Sequence, residues 1–109
     1  MGVSTNIYTY YGIKIPYDTD FADAYEEVYK ECDLEILFGE EYIVIGHRLY
    51  DSGDFRYGLE GGDNWKEIDL SQLPAYKIES LESFRKWFPG FEYLIKDKPF
   101  KLITFTHWH

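Results

Sequence analysis

The sequence has few of the features that place a chain outside the cell or in a membrane. Cys32 is its single cysteine, so no disulfide can form within the chain. No stretch approaches the roughly 18–20 consecutive apolar residues of a membrane helix, and the N-terminus lacks the basic start and apolar run of a secretory signal. We therefore expect a soluble, cytoplasmic protein that does not enter a membrane.

Positive charge is also scarce. The 109 residues include 11 Lys and Arg against 20 Asp and Glu, which gives a net charge of −9. Proteins that bind nucleic acid or anionic lipid directly need clustered Lys and Arg. The composition therefore argues against direct binding of nucleic acid and against binding to a membrane surface.

Recognisable motifs for catalysis and for metal binding are missing as well. The chain has no serine in a nucleophile-elbow motif, no Cys-His pair at a catalytic spacing and no paired cysteines. His107 and His109 point the same way if the C-terminus is a strand, and His47 offers a third imidazole, but zinc needs three or four converging ligands. We predict no enzymatic activity, no cofactor and no metal site.

Apolar and aromatic residues are plentiful. Hydrophobic residues make up 45% of the chain and aromatic residues 20%, which excludes the disordered class of low hydrophobicity and high charge. A chain of this length fits one hydrophobic core. We expect residues 1–109 to form a single α+β domain.

The first half of the chain predicts a strand, a helix and a hairpin. Residues 7–15 alternate with the strand period, and Pro16 ends them. Asp18 or Thr19 is a suitable N-cap for a helix. The apolar positions of that helix recur at helical spacing: Phe21, Ala24, Tyr25, Val28, Tyr29 and Cys32. Residues 34–38 and 41–50 then predict a hairpin around Gly39-Glu40.

The second half predicts a loop, a helix and a strand. Residues 51–66 are rich in Gly, Asp and Asn, which favours turns with at most a short strand near residues 55–57. Ser80 is a suitable N-cap for a second helix with Leu81, Phe84, Trp87 and Phe88 on one side. Pro89-Gly90 ends it, residues 91–95 allow a further helical turn, and residues 100–108 predict the last strand.

The resulting order is β-α-β-β-α-β. This order is typical of the ferredoxin-like fold, a two-layer α/β sandwich in which two helices cover one face of a four-stranded antiparallel sheet. We therefore predict an α+β, ferredoxin-like domain with an insertion at about residues 51–79.

Negative charge is concentrated on the first helix. Residues 18–41 hold ten acids and one lysine, a net charge of −9 that equals the excess of the whole chain. Five of these acids form what we call the acidic face: Asp20, Asp23, Glu26, Glu27 and Glu31. Helix neighbours three and four apart lie about 5–6 Å from each other, which resembles the spacing of phosphates along a nucleic acid strand.

Such a row of carboxylates could occupy a basic groove that otherwise holds nucleic acid, and its field would speed the encounter. The alternative is a solvated face without a partner. The helix dipole favours Asp20 and Asp23 near the helix start, and a Glu26–Lys30 pair would support the helix, whereas Glu27 and Glu31 repel each other.

Two further surfaces could contact a partner. Aromatic residues and Arg dominate interface energetics, so a loop carrying Phe55, Arg56, Tyr57 and Trp65 is a secondary candidate. Tyr8 and Tyr10 on the first strand, with Phe105 and His107 on the last, predict an aromatic sheet face of the kind that stacks on RNA bases. The shortage of basic residues argues against RNA, and we expect the insertion or a second subunit to cover this face.

Three short runs resemble small uncharacterised proteins of tailed bacteriophages. They are Tyr11-Gly12-Ile13-Lys14-Ile15-Pro16-Tyr17-Asp18, Asp51-Ser52-Gly53-Asp54-Phe55-Arg56 and Lys98-Pro99-Phe100-Lys101-Leu102-Ile103. The resemblance carries no activity or site residues. It implies a context, in which small acidic phage proteins bind and inhibit host proteins in the host cytoplasm, including nucleic-acid-handling and defence complexes.

Together these features predict a non-enzymatic binding protein whose acidic face engages a protein with a basic surface. A module that self-associates through a sheet edge or the aromatic face is an alternative, in which the chain forms a homo-oligomer. A small-molecule-binding protein or small enzyme that uses the loop at residues 51–66 and the terminal histidines is the third.

Overall fold

Strand β1 lies inside the sheet, with a neighbouring strand on each side. The computed structural model describes residues 5–52 and 67–108. In this part of the chain four strands form one sheet in the order β2-β3-β1-β4, and all three neighbouring pairs are antiparallel. The strands are β1, Thr5–Pro16; β2, Glu35–Phe38; β3, Tyr42–Asp51; and β4, Lys101–Trp108.

The two α-helices of the described chain lie in the connections from β1 to β2 and from β3 to β4. Helix α1, Thr19–Val28, links β1 to β2, and helix α2, Leu73–Trp87, precedes β4. Short 3-10 turns at Leu70–Gln72 and Pro89–Leu94 flank α2. The structure thus confirms an α+β protein with a four-stranded antiparallel sheet and helices, and the predicted strands differ from the observed ones by only one or two residues.

The main core lies between one face of the sheet and the two helices. Alternate residues of β1 and β3 point to this face, including Ile13, Ile15, Ile43 and Ile45, which are at most 3% exposed. Against them pack Phe21 of α1, Phe84 of α2 and Phe88 just after it. A large apolar layer therefore fixes both helices on the sheet.

Helix α1 begins as its sequence predicts. The carboxylate of Asp18 accepts a hydrogen bond from the backbone N–H of Phe21 over 2.8 Å, which makes Asp18 the N-cap. The helix ends at Val28, four residues before the end of its apolar pattern, and the carbonyl of Val28 accepts from the N–H groups of Glu31 and Cys32. Cys32 still packs against the core from the turn that follows.

The predicted start of the second helix is wrong. Ser80 lies in the middle of α2 and is 6% exposed, because the helix begins at Leu73. Pro74 stands in the first turn, where a proline is tolerated because its missing N–H has no helical acceptor there. Residues 73–79 are therefore helix and not part of an insertion, and Asp69 caps the 3-10 turn before them.

Two glycines face each other where β1 and β3 pair. Gly12 is opposite Gly46, and both are buried. A Cβ on Gly12 would collide with the backbone carbonyl oxygen of Ile45, and a Cβ on Gly46 with that of Tyr11. The close approach of the two central strands therefore requires glycine on both sides of the pair.

Within residues 5–52 and 67–108, no helix has the length and apolar character needed to cross a membrane.

The glycine pair gives a test of the strand packing. Gly12→Ala should lower the free energy of unfolding by roughly 1–3 kcal/mol or more, because the added methyl group must push β1 away from the backbone of β3. Chemical denaturation measures the change. Gly90→Ala is the matched control, since no atom lies within 4 Å of its added Cβ, and it should change stability by no more than about 0.5 kcal/mol. Equal effects of the two substitutions would contradict the packing described here.

Candidate functional site

All five carboxylates of the acidic face lie at the surface. Asp20, Asp23, Glu26 and Glu27 are exposed residues of α1, and Glu31 is exposed in the turn that follows it. The opposite side of the helix is apolar, with Phe21 buried and Ala24, Tyr25 and Val28 packed against the core. The sequence pattern thus places the acids outward, as predicted.

Core packing fixes the rotation of α1 and therefore the direction of these acids. The Phe21 ring centroid lies 4.7 Å from that of Phe88 and 5.8 Å from that of Phe84. Phe38 of β2 lies 6.1 Å away on the same side, and Tyr25 lies 5.0 Å from Phe38. Aromatic contacts of this kind add to the burial energy, so a rotation of the helix would be costly.

Cations do not neutralise the acidic face in the described structure. None of the salt bridges found within residues 5–52 and 67–108 involves any of the five acids. The expected Glu26–Lys30 pair is not formed, and the Nζ atom of Lys30 instead lies 6.0 Å from the Tyr29 ring centroid. Because no cation of the described residues is within salt-bridge distance of these carboxylates, the acids of α1 repel each other.

Negative charge at the start of α1 also affects a neighbouring segment. Tyr93, in the 3-10 turn after α2, is 61% exposed. Partial desolvation and, after it, the charges of Asp18 and Asp20 raise the pKa of Tyr93. Asp18 and Asp20 thus lie near the segment that follows α2.

The opposite face of the sheet, which we call the second face, carries the predicted aromatic cluster. Ring centroids of Tyr8 and Tyr10 lie 5.8 and 5.9 Å from that of Phe105, and His107 lies 6.1 Å from Tyr8. The grouping of these side chains is confirmed. Tyr8 and Tyr10 are only 6% and 3% exposed, however, so neither ring offers a free surface for stacking on a base.

A groove of about 710 Å³ crosses the second face. Its apolar lining includes Leu37, Val44, Ile103 and Phe105, and Glu40 and Glu41 of the β2–β3 turn lie at its rim. Sequence reasoning missed the contribution of these two acids. The predicted hairpin around Gly39-Glu40 places both acids in the turn between β2 and β3, but only the packed sheet shows that this turn borders the groove.

The structure separates the two histidines that it describes. His47 stacks on Tyr76 of α2 with ring centroids 3.9 Å apart, so it lies on the side of the sheet that the helices cover. His107 lies on the second face. Within residues 5–52 and 67–108, no group of three or more His, Cys, Asp and Glu side chains is arranged to hold a metal ion. His109 lies outside the described residues.

The thiol of Cys32 is half-buried. Burial raises its pKa, a backbone hydrogen bond from Leu34 opposes this, and the nearby charge of Asp33 raises the pKa further. A raised pKa keeps the thiol protonated and weakly nucleophilic. Cys32 therefore serves the core as a small apolar residue.

The secondary contact loop with Phe55, Arg56, Tyr57 and Trp65 lies outside the described residues, as does the short strand predicted near residues 55–57. Residues 53–66 of the segment predicted to form turns lie there too.

No family model, curated protein or solved structure matches this chain. The resemblance to phage proteins therefore stays a prediction.

Tyr10 gives a test of burial on the second face. Burial first, and the charge of Glu35 second, raise its pKa in the folded protein, against the effect of Arg48. Above about pH 10 the unfolded chain ionises this tyrosine more readily than the folded protein does, so stability should fall as the pH rises. Tyr10→Phe should make the decline between about pH 9.5 and 11.5 less steep in denaturation experiments.

The control for this test is Tyr17→Phe, because Tyr17 is 45% exposed. The stability of this variant should decline with rising pH as steeply as that of the wild-type protein. A Tyr10→Phe variant that declines as steeply as the wild type would show that this ring is not desolvated in the folded protein.

Proposed function

We propose that this chain is a non-enzymatic binding protein whose acidic face engages a basic surface on a partner protein. The observation that carries the proposal is the row of five exposed carboxylates on α1 and its following turn, without a salt bridge to any described residue. Bringing Lys and Arg side chains of a partner against this row would relieve the repulsion within it.

The fold that we propose for this protein is the ferredoxin-like one. The strand order β2-β3-β1-β4 and the antiparallel pairing support it. Packing of Phe21, Phe84 and Phe88 in one core also supports it, because both helices then lie against the same face of the sheet. In this arrangement α1 presents its acidic face along the outside of the helical layer.

The partner that fits this surface is a protein that handles nucleic acid. The Cβ atoms of residues three and four apart on a helix are about 5–6 Å from each other, so the acids of α1 suit a basic groove that is spaced for phosphates. Because the folded core already holds the acids of α1 in place, binding costs little conformational entropy there. In the phage context that the short motifs suggest, the partner is a host or defence protein, and the bound chain excludes nucleic acid from it.

The proposal predicts that binding depends on where the acids are and not only on how many there are. Replacing Glu26, Glu27 and Glu31 by Lys should abolish capture of the partner from a lysate of the host cell, because the carboxylates that contact it become cations. The control replaces Glu67, Glu79 and Glu82 by Lys, which are exposed acids elsewhere in the described chain. Both triple variants change the net charge from −9 to about −3.

The control variant should retain most of the binding. Capture is compared at low and high salt by mass spectrometry of the retained proteins, and the wild-type interaction should weaken at high salt because ions screen it. Circular dichroism checks that both variants are folded. If the Glu26, Glu27 and Glu31 variant still binds the same partner, the acidic face is not the binding surface.

Self-association is a second candidate function, and the exposed edge of the sheet favours it. Strand β4 is the last strand in the order, and Leu102 of β4 and Ile7 of the adjacent β1 are 51% and 47% exposed. Long apolar edge strands are templates for pairing with another chain.

This second candidate predicts a stable oligomer whose mass does not depend on salt, since backbone pairing and apolar contact hold it together. Light scattering after size-exclusion chromatography measures the mass at two salt concentrations. A Leu102→Lys variant should shift the protein to monomer. A wild-type protein that is monomeric at about 100 μM would remove this candidate.

A further inference from the structure

More than half of the Lys and Arg residues of this chain lie in one region of the described structure. Six of the eleven Lys and Arg residues line two adjoining surface cavities of about 560 and 480 Å³, which share Lys98. These six are Lys14, Lys77, Arg85, Lys96, Lys98 and Lys101. A chain with a net charge of −9 thus carries a locally basic surface that its composition hides.

The larger cavity, which we call the basic groove, has two walls of defined structure. One wall is α2, where Lys77, Leu81 and Arg85 recur every four residues and so share one side of the helix. The other is the turn that carries Lys96 and Lys98.

Hydrogen bonds fix the second wall. The carbonyl of Glu92 accepts hydrogen bonds from the N–H groups of Ile95 and Lys96 over 3.1 and 3.0 Å, and the carbonyl of Ile95 accepts from Lys98 over 3.2 Å. Arg85 joins the two walls, because its Nε donates to the Oε1 atom of Glu92 over 2.7 Å. Lys96 and Lys98 therefore lie on a hydrogen-bonded turn, and the Arg85–Glu92 ion pair links this segment to α2.

The floor of the basic groove is apolar. Leu81, Ile95 and Phe100 line it and are half-buried. The Nζ atom of Lys77 lies 5.7 Å from the Phe100 ring centroid, so a cation stands beside an aromatic surface. A volume of about 560 Å³ lies within the range of pockets that take small molecules.

The charges of the basic groove are not balanced. Its lining holds four cations against two acids, and one of the acids, Glu92, is already paired with Arg85. Lys77, Lys96 and Lys98 take part in none of the salt bridges found among residues 5–52 and 67–108. An anion in the groove would supply the missing counter-charge.

We propose that the basic groove binds a small organic anion, namely a phosphate or carboxylate group joined to an apolar ring. The anionic group lies among Lys77, Lys96 and Lys98, and the ring lies on Leu81 and Phe100. This site is separate from the acidic face. The groove therefore stays open to its ligand when the chain binds a partner protein through α1. The strong overall negative charge disfavours a long polyanion there, since the rest of the surface repels it.

The test is a titration of the ¹⁵N-labelled full chain with phenyl phosphate, benzoate, phenol and inorganic phosphate, followed by amide chemical shifts. Phenyl phosphate or benzoate should saturate and move the amides of residues 77–85 and 95–100. Phenol and inorganic phosphate each supply half of the ligand and should bind at least about tenfold more weakly. The acidic-face variant with Lys at positions 26, 27 and 31 should bind like the wild type.

Two double variants distinguish binding in the basic groove from nonspecific attraction of an anion to any lysine. Lys77→Gln with Lys98→Gln should weaken binding of the better aromatic anion by about tenfold or more. The matched control, Lys30→Gln with Lys86→Gln, removes the same charge outside the groove and should stay within about twofold. Both proteins should retain the wild-type pattern of dispersed amide signals.

Three results would overturn the proposal. The first is an equal loss of affinity in the two double variants, and the second is binding of inorganic phosphate as tight as that of either aromatic anion. The third is movement of the groove amides with rising protein concentration in the absence of ligand, because the groove would then be occupied by the acidic face of a second copy.

Discussion

The packing of Phe21 is the constraint on which the surface chemistry of this protein depends. Its ring is fully buried and contacts Phe84 and Phe88, so α1 cannot rotate without losing the centre of the main core. Because one side of the helix is held in this way, the acids on the other side must face solvent. The outward direction of the four acids on α1 is therefore a fixed feature of the fold.

Charge is divided between two regions of the described structure. The acidic face lies on α1, whereas the basic groove lies between α2 and the turn before β4. Among residues 5–52 and 67–108, the five carboxylates of the first region and Lys77, Lys96 and Lys98 of the second take part in no salt bridge. The described structure therefore carries its negative and positive charge on two separate surfaces.

Local patterns predicted those elements whose signals lie within a few residues. The Asp18 cap, the apolar side of α1 and the alternation of β1 and β3 are of this kind. The prediction for Ser80 is wrong because a serine before an apolar run suggests a cap, whereas the helix already begins at Leu73 and buries Ser80 in its middle. The outward direction of the acids followed from helical period, but the basic groove did not, because Lys77 and Lys98 are brought together only by the return of the chain after α2.

We propose that a partner protein covers the acidic face. Amide hydrogen exchange of the chain, free and bound to the partner that it captures, shows which residues the partner covers. Protection on binding should concentrate at residues 20–31, with residues 77–85 and 95–100 unchanged. Protection confined to the second face or to β4, with residues 20–31 exchanging as in the free protein, would contradict it.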